Sequence, residues 1–234
     1  MRRRVVTGLV AIAVLAVVVW AAAWARVWLD DDVPSSAHGT DADGWIERAH
    51  PIPPSGDGYV TYSMLGSALG RQYVHRGVRD TWMAATRETA REERDRTFVI
   101  AETGWPGGGR FRPHRTHRRG LSIDVLSPMR DESGARASLS SWPWDAFGYR
   151  HELDGEGHLG ALTFDGADAA MLICALVRLA PDHGVRVRRV ILAPELQPSV
   201  ERAARCGLTA LWMRGTPWVR HDEHFHVDFD AGDS

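Results

Sequence analysis

Apolar positions form one unbroken block near the start of the chain. From Val5 to Ala25 only Thr7 and Gly8 interrupt it. A helix of roughly 20 such residues spans a bilayer, and the block has no polar face to mark it as the helix of a soluble core. Beyond it the pattern changes. Val78 to Arg94 is rich in Ala, Met, Arg and Glu and free of Gly and Pro, which predicts a helix. Phe98 to Gly104 (FVIAETG) predicts a strand running into a Gly- and Pro-containing loop, Trp105 to Pro113. Leu121 to Val125 (LSIDV) alternates apolar and polar with period two, the pattern of a half-buried strand. Asp165 to Ala180 is an amphipathic helix with Asp at its start. Arg186 to Ala193 reads as a strand, Pro198 to Gly207 as a short helix, and the closing VRHDEHFHVDF as a strand. Helices and strands mix without a regular βαβ rhythm. The expected fold is therefore α+β with a mainly antiparallel central sheet and flanking helices.

Two stretches stand outside this pattern. Residues 27–57 are rich in Asp, Ser, Pro and Gly, which predicts a solvated linker. Residues 133–157 carry many Ser, Trp, Pro and Gly and form a long excursion between elements. The expected organisation is a signal anchor or signal peptide over 1–26, a linker over 27–57 and one folded domain over 58–234.

Alternation along the last strand brings chemistry into view. In HFHVDF, His224, His226 and Asp228 share one face, while Phe225, Val227 and Phe229 share the other. In LSIDV, Ser122 and Asp124 likewise oppose Leu121, Ile123 and Val125. Gly120 can supply a turn that folds His117 back beside Asp124, with His114 three residues earlier. The chain thus offers two packets, His114-His117-Asp124 and His221-His224-His226. Three protein ligands and an open position are what a catalytic zinc needs.

Charge and composition narrow the setting. A net charge of −2 speaks against a general nucleic-acid binder. Arg2, Arg3 and Arg4 before the apolar block favour a cytoplasmic N-terminus with the remainder exported. Ala23-Trp24-Ala25 has the small-x-small form that signal peptidase accepts, but the block is longer than a usual signal peptide, which favours an anchor. Cys174 and Cys206 lack zinc spacing; outside the cytoplasm they are free either to pair or to remain two thiols.

The spacing His-x-x-His-x-x-Gly-x-x-x-Asp, met by His114, His117, Gly120 and Asp124, and His-x-x-His-x-His, met by His221, His224 and His226, resembles the penicillin-insensitive murein endopeptidase family. That family lies within the lysostaphin, D-Ala-D-Ala metallopeptidase and sonic hedgehog zinc superfamily. Tyr62 to His75 and the RVRRVILAPEL stretch also resemble it, so the likeness covers about residues 58–230. The resemblance implies a Zn²⁺ cofactor held by His117, Asp124 and His226, with His224 as general base. It places His114 and His221 in the same cleft, on the oxyanion or orienting the ligands. It implies hydrolysis of the D-Ala–meso-diaminopimelate cross-links of peptidoglycan, in the periplasm or cell envelope, with stem peptides as partner and the membrane reached through the N-terminal segment. A non-catalytic zinc-dependent peptidoglycan-binding module and a D,D- or L,D-carboxypeptidase are the alternatives.

Around the first packet, Arg110, Arg112, Arg115, Arg118 and Arg119 are candidates to pair with stem-peptide carboxylates. Trp105, Trp142, Trp144 and Trp218 are candidates to wall the groove. This chain has fewer cysteines than is usual in the family, and its excursion over 133–157 matches no motif. Asp228 has no role assigned from sequence.

Overall fold

A computed structural model of the chain describes residues 2–93, 96–112, 114–215, 217 and 219–232. It opens with helix α1 (Arg2–Trp28), of which Val5–Trp28 is long and apolar enough to cross a membrane. A hairpin of β1 (Ser36–Gly39) and β2 (Gly44–Glu47) follows, then the short strands β3 (His50–Pro51), β4 (Ser55–Gly56) and β5 (Tyr59–Thr61). Helix α2 (Met64–Ala68), strand β6 (Tyr73–Val74) and helix α3 (Arg76–Glu92) lead to β7 (Phe98–Ile100) and β8 (Ser122–Leu126). Four small strands, β9 (Met129–Arg130), β10 (Arg136–Ala137), β11 (His158–Leu159) and β12 (Leu162–Phe164), make a separate sheet. Helix α4 (Gly166–Leu179), β13 (Val185–Ile191), α5 (Gln197–Ala203) and β14 (His224–Ala231) complete the chain.

The central sheet has six strands in the order β13-β14-β8-β7-β5-β4. Only β5 and β7 pair in parallel; every other neighbouring pair is antiparallel. The apolar alternation of β14 does what it predicts: Phe225, Val227 and Phe229 are fully buried beside Ile123 and Val125. Each Phe or Val buried this way contributes about 1.5–3 kcal/mol. Helices α3 and α4 close the core, with Trp82, Leu172 and Ile173 fully buried. Asp165 caps α4 by accepting the N–H groups of Ala167 and Asp168, and His75 caps α3 through the N–H of Gly77.

Three expectations meet a different outcome. Residues 27–57 are not a bare linker: β1 to β4 lie within them, β4 joins the central sheet, and Ile46, His50 and Ile52 are buried. Isolated apolar residues among Asp, Ser and Pro carry no periodicity, so the composition masked a folded stretch. The β8 strand is not half-buried, since Ser122 and Asp124 are as enclosed as Ile123 and Val125. The helix read from Pro198 ends at Ala203, short of Gly207, whereas the helix read over Asp165 to Ala180 is found at Gly166–Leu179 between its caps Asp165 and Ala180. The alternative left open for Cys174 and Cys206 closes as a disulfide that ties α4 to the chain just after α5. The bond fits an oxidising compartment.

Candidate active site

Strand register assembles the cleft. His226 lies directly across from Asp124, and Asp228 across from Ser122. Residues opposite one another in an antiparallel pair share a face, so both polar faces are one surface. His117 arrives from the loop between β7 and β8. The loop turns at Gly120, which has φ +65° and would put a Cβ 2.7 Å from Ile46 and 2.9 Å from the His75 nitrogen. No other residue fits there without displacement.

Three donor atoms converge. His226 Nδ1 is 2.7 Å from Asp124 Oδ1, and His117 Nε2 is 3.2 Å from each of these atoms. Two donors each about 2.0–2.1 Å from one tetrahedral ion lie about 3.3 Å apart, so the set matches the span of a single metal. His117, Asp124 and His226 are all essentially solvent-free. The outer nitrogens are held as well. His117 Nδ1 donates to the Thr103 carbonyl at 2.8 Å, and His226 Nε2 donates to Asp228 Oδ1 at 2.7 Å. This is the supporting shell that orients metal-binding imidazoles. The donor set of two imidazoles and one carboxylate therefore fits a divalent metal.

His114 brings a further donor within 4.8 Å of His117 and Asp124. Its Nδ1 is 3.3 Å from Asp124 Oδ2 and its Nε2 donates to Glu102 Oε2 at 2.6 Å. His224 Nε2 stands 3.8 Å from Asp124 Oδ2, while its Nδ1 donates to Glu223 Oε1 at 2.9 Å. The His221 ring packs 4.8 Å from the His224 ring, and its Nδ1 donates to the Val219 carbonyl at 2.7 Å. His221 takes a positive φ of 56°, an uncommon backbone state for a residue with a Cβ.

Electrostatics follow from burial set against close charges. Burial alone would raise the Asp124 carboxyl, but His117, His224 and His114 hold it well below the usual carboxylate range. Burial lowers His117, and more than the Asp124 charge restores. Burial also lowers His226, yet Asp228 and Asp124 outweigh it and push it up to about 10 in the metal-free protein. A metal held between these donors would displace that proton. Burial brings His221 down to about 4, so at neutral pH it is an uncharged acceptor at Nε2 rather than a cation.

Pattern reading missed four contributors. Tyr149, from the excursion over 133–157, donates its hydroxyl to Asp124 Oδ2 at 2.9 Å and accepts the Glu102 N–H at 3.1 Å. Burial and the Asp124 charge keep that hydroxyl protonated far above neutrality. Glu102 holds His114, Tyr62 and Arg71 together. Glu223 braces His224, and Thr103 braces His117. Only Glu223, adjacent to His224, carried a sequence signal. Asp228 also gains partners: it accepts from Ser122 Oγ and His226, and from Arg189 Nε at 2.7 Å.

Arg110, Arg112, Arg115 and Arg118 line a cavity of about 690 Å³ beside His114, together with Asp41 and Arg189. Arg119 instead pairs with Asp41 at 2.9 Å. Trp105 packs edge-on to Phe111, with Arg71 over its ring. Trp142 and Trp144 stack on each other and are exposed. Trp218 and Pro113 lie outside the described residues.

The enclosed His–carboxylate set opens beside a basic cavity, and the comparisons place the chain among peptidases. It belongs to the penicillin-insensitive murein endopeptidase family, whose sequence profile matches residues 37–233. It is 27% identical over 203 residues to the penicillin-insensitive murein endopeptidase of Haemophilus influenzae, covering 84% of this chain and 64% of that relative. It is 24% identical to the protein of the same name from Salmonella paratyphi C, covering 83% and 67%, and 23% identical to that from Yersinia enterocolitica, covering 95% and 76%. The chain thus spans slightly less than two thirds of the Haemophilus relative's length.

Proposed function

We propose that this chain is a zinc-dependent endopeptidase that hydrolyses peptide cross-links of peptidoglycan, with D-alanine–meso-diaminopimelate as the bond. The proposed ligands are His117, Asp124 and His226. What supports this set is the convergence of their three donor atoms while Thr103 and Asp228 hold the outward nitrogens. His114 is assigned to the wall because Glu102 and Asp124 occupy its two nitrogens. The folded enzyme domain extends back over 36–57, not only from residue 58.

A zinc ion held there supplies Lewis acidity toward the scissile carbonyl and toward the attacking water. The chain supplies the rest. His224 Nε2 faces the cleft and takes the proton of that water, then returns it to the departing amine. Glu223 holds His224 Nδ1 and stabilises the imidazolium that forms, so this base comes with its own orienting carboxylate. Burial opposes the charge on His224, but Asp124 and Glu223 raise its pKa above the ordinary imidazole value. Tyr149 and His114 fix Asp124 Oδ2, leaving Oδ1 for the metal. His221, neutral with its N–H held by Val219, serves as an acceptor on the wall rather than as the oxyanion donor. The arginine-lined cavity suits a carboxylate of the stem peptide.

The test is digestion of cross-linked muropeptide dimers by the full chain in detergent, with and without chelator. Conversion to monomers, abolished by chelator and restored by zinc, is expected. Binding of dimers without cleavage in zinc-loaded protein defeats the endopeptidase reading and favours a binding module. Release of only a terminal D-alanine favours a carboxypeptidase.

A further inference from the structure

Helix α1 does not meet the folded domain through a free stalk. Residues 5–22 are open to the surroundings along nearly their whole length. At 1.5 Å per residue they make about 27 Å, close to the depth of a bilayer's hydrocarbon core. At Ala23, which is buried, the helix begins to pack on α2. Arg26 Nε donates to the Ala68 carbonyl at 2.9 Å, and its Nη1 reaches the Tyr73 hydroxyl at 3.3 Å. Just past the helix, Asp30 accepts from His50 Nδ1 and from Arg79 Nη1 at 2.7 Å, and Asp32 accepts from Arg76 at 2.9 Å. The Arg76 backbone N–H then donates to Ser35 Oγ at 2.9 Å. The chain is fastened to the domain every few residues from 23 to 35.

Around this junction lie apolar side chains exposed over roughly half of their surface or more. Trp28 ends α1 and Leu29 follows it, while Leu65 projects from α2 and Leu69 caps it; α1 packs against α2. Trp20, Trp24 and Trp28 run along one side of α1 with centroids 6.2–6.3 Å apart. Tryptophans favour the level of lipid headgroups. With residues 5–22 in hydrocarbon, this collar falls at that level.

We propose that Trp28, Leu29, Leu65 and Leu69 form a lipid-contacting collar that seats the domain on the outer face of the membrane, and that α1 acts as a rigid strut. The inference rests on reading α1 as a retained membrane span. The strut is wired to the cleft by short paths. Tyr73, which Arg26 touches, accepts from Thr103 Oγ1, and Thr103 holds His117. Arg71, just past α2, pairs with Glu102, which holds His114. The cleft therefore has one height and one orientation over the bilayer, and its substrate is wall peptide within reach of the membrane surface.

The full chain in phosphatidylethanolamine–phosphatidylglycerol vesicles tests this. Its native cysteines are paired, so L65C, L69C and, as an aqueous control, E156C each accept a nitroxide label selectively. Labels at 65 and 69 are expected to be several-fold richer in oxygen collisions, relative to a water-soluble nickel chelate, than the label at 156. Equal ratios at all three positions overturn the collar. A donor dye on A42C, beside the cleft, transfers energy to headgroup acceptors. A flexible Gly-Ser linker inserted after Leu29 is expected to lower and broaden that transfer, and an unchanged transfer overturns the strut. Mass spectrometry of the vesicle-bound chain reads the N-terminus, and a chain cut after Ala25 removes the span and the proposal with it. None of these readouts depends on peptide hydrolysis.

Discussion

Two parts of this molecule gather the same residue types to opposite ends. In the cleft, His117, Asp124 and His226 meet with Asp228 behind them. Near the base of α1, Asp30 and Asp32 meet His50. Both groups have the composition of a metal site. They differ in where the positive charge comes from. Among the described residues the ionisable partners of Asp124 are imidazoles, beside the neutral Tyr149 hydroxyl, and an imidazole can give up its proton to make room for a metal. Asp30 and Asp32 are also faced by the guanidinium groups of Arg79 and Arg76, which keep their charge at any working pH. His50 in addition has Asp30 on one nitrogen and the Val33 carbonyl on the other, at 2.7 Å. The counter-charge in the cleft can leave as protons, whereas that of the second cluster is held by guanidinium groups already paired to its carboxylates. Counting histidines and carboxylates does not separate the two; identifying the counter-charge does.

The largest effect that tests this contrast is in the cleft. Asp124→Ala is expected to remove stoichiometric zinc and to lower kcat/KM by about 10³-fold or more, corresponding to about 4 kcal/mol of lost transition-state stabilisation. Metal content by atomic spectroscopy and turnover of muropeptide dimers are the measurements. His50→Ala is expected to leave zinc content and activity per folded molecule unchanged and to cost about 2–3 kcal/mol of unfolding free energy. That is less than the 3–5 kcal/mol of a fully buried pair because Arg79 still faces Asp30. Denaturant melts give this number. A loss of bound metal in His50→Ala would collapse the distinction between the two clusters.

A smaller effect sharpens the role of the supporting shell. Asp228→Asn keeps the shape but weakens the hold on His226 Nε2, and is expected to lower zinc affinity about 10–100-fold. Competition with a chelating dye measures it. Since Asp228 also accepts from Ser122 and Arg189, the melt of the variant separates lost affinity from lost stability.

How far each cluster was legible follows from the same physics. The period-two alternation of HFHVDF placed His224, His226 and Asp228 on one face, and the strand register bears this out by setting His226 across from Asp124. The turn at Gly120 was legible too, because few residues tolerate that geometry. Tyr149 and Glu102 were not, because they reach Asp124 and His114 through tertiary packing that no local period encodes. Nor was the folded state of 36–56. Two-residue strands such as β3 and β4 are too short to show alternation, and their stability comes from partners distant in sequence. The disulfide rested on compartment alone until the fold brought Cys174 and Cys206 together.

The gentlest test extends the contrast to a third carboxylate. Asp168 on α4 accepts from Arg96 Nε at 2.9 Å and from Arg136, so it too is held by guanidinium rather than imidazole. Burial alone would raise its carboxyl, but Arg136 and Arg96 outweigh burial and set it below the ordinary value of 3.8. A carboxyl depressed in the folded state binds a proton more readily when unfolded. Its contribution to stability is therefore complete above the unfolded value and fades as pH falls through the folded one. In zinc-free protein, unfolding free energy measured from pH 6 downward is expected to drop below about pH 4, and part of that drop is expected to vanish in Asp168→Asn. Stability of Asp168→Asn should be lower than that of the parent at pH 6 and should converge on it at low pH. Parallel curves across the whole range would mean that the charge on Asp168 contributes nothing, and that guanidinium compensation does not distinguish the fold's fasteners from its cleft.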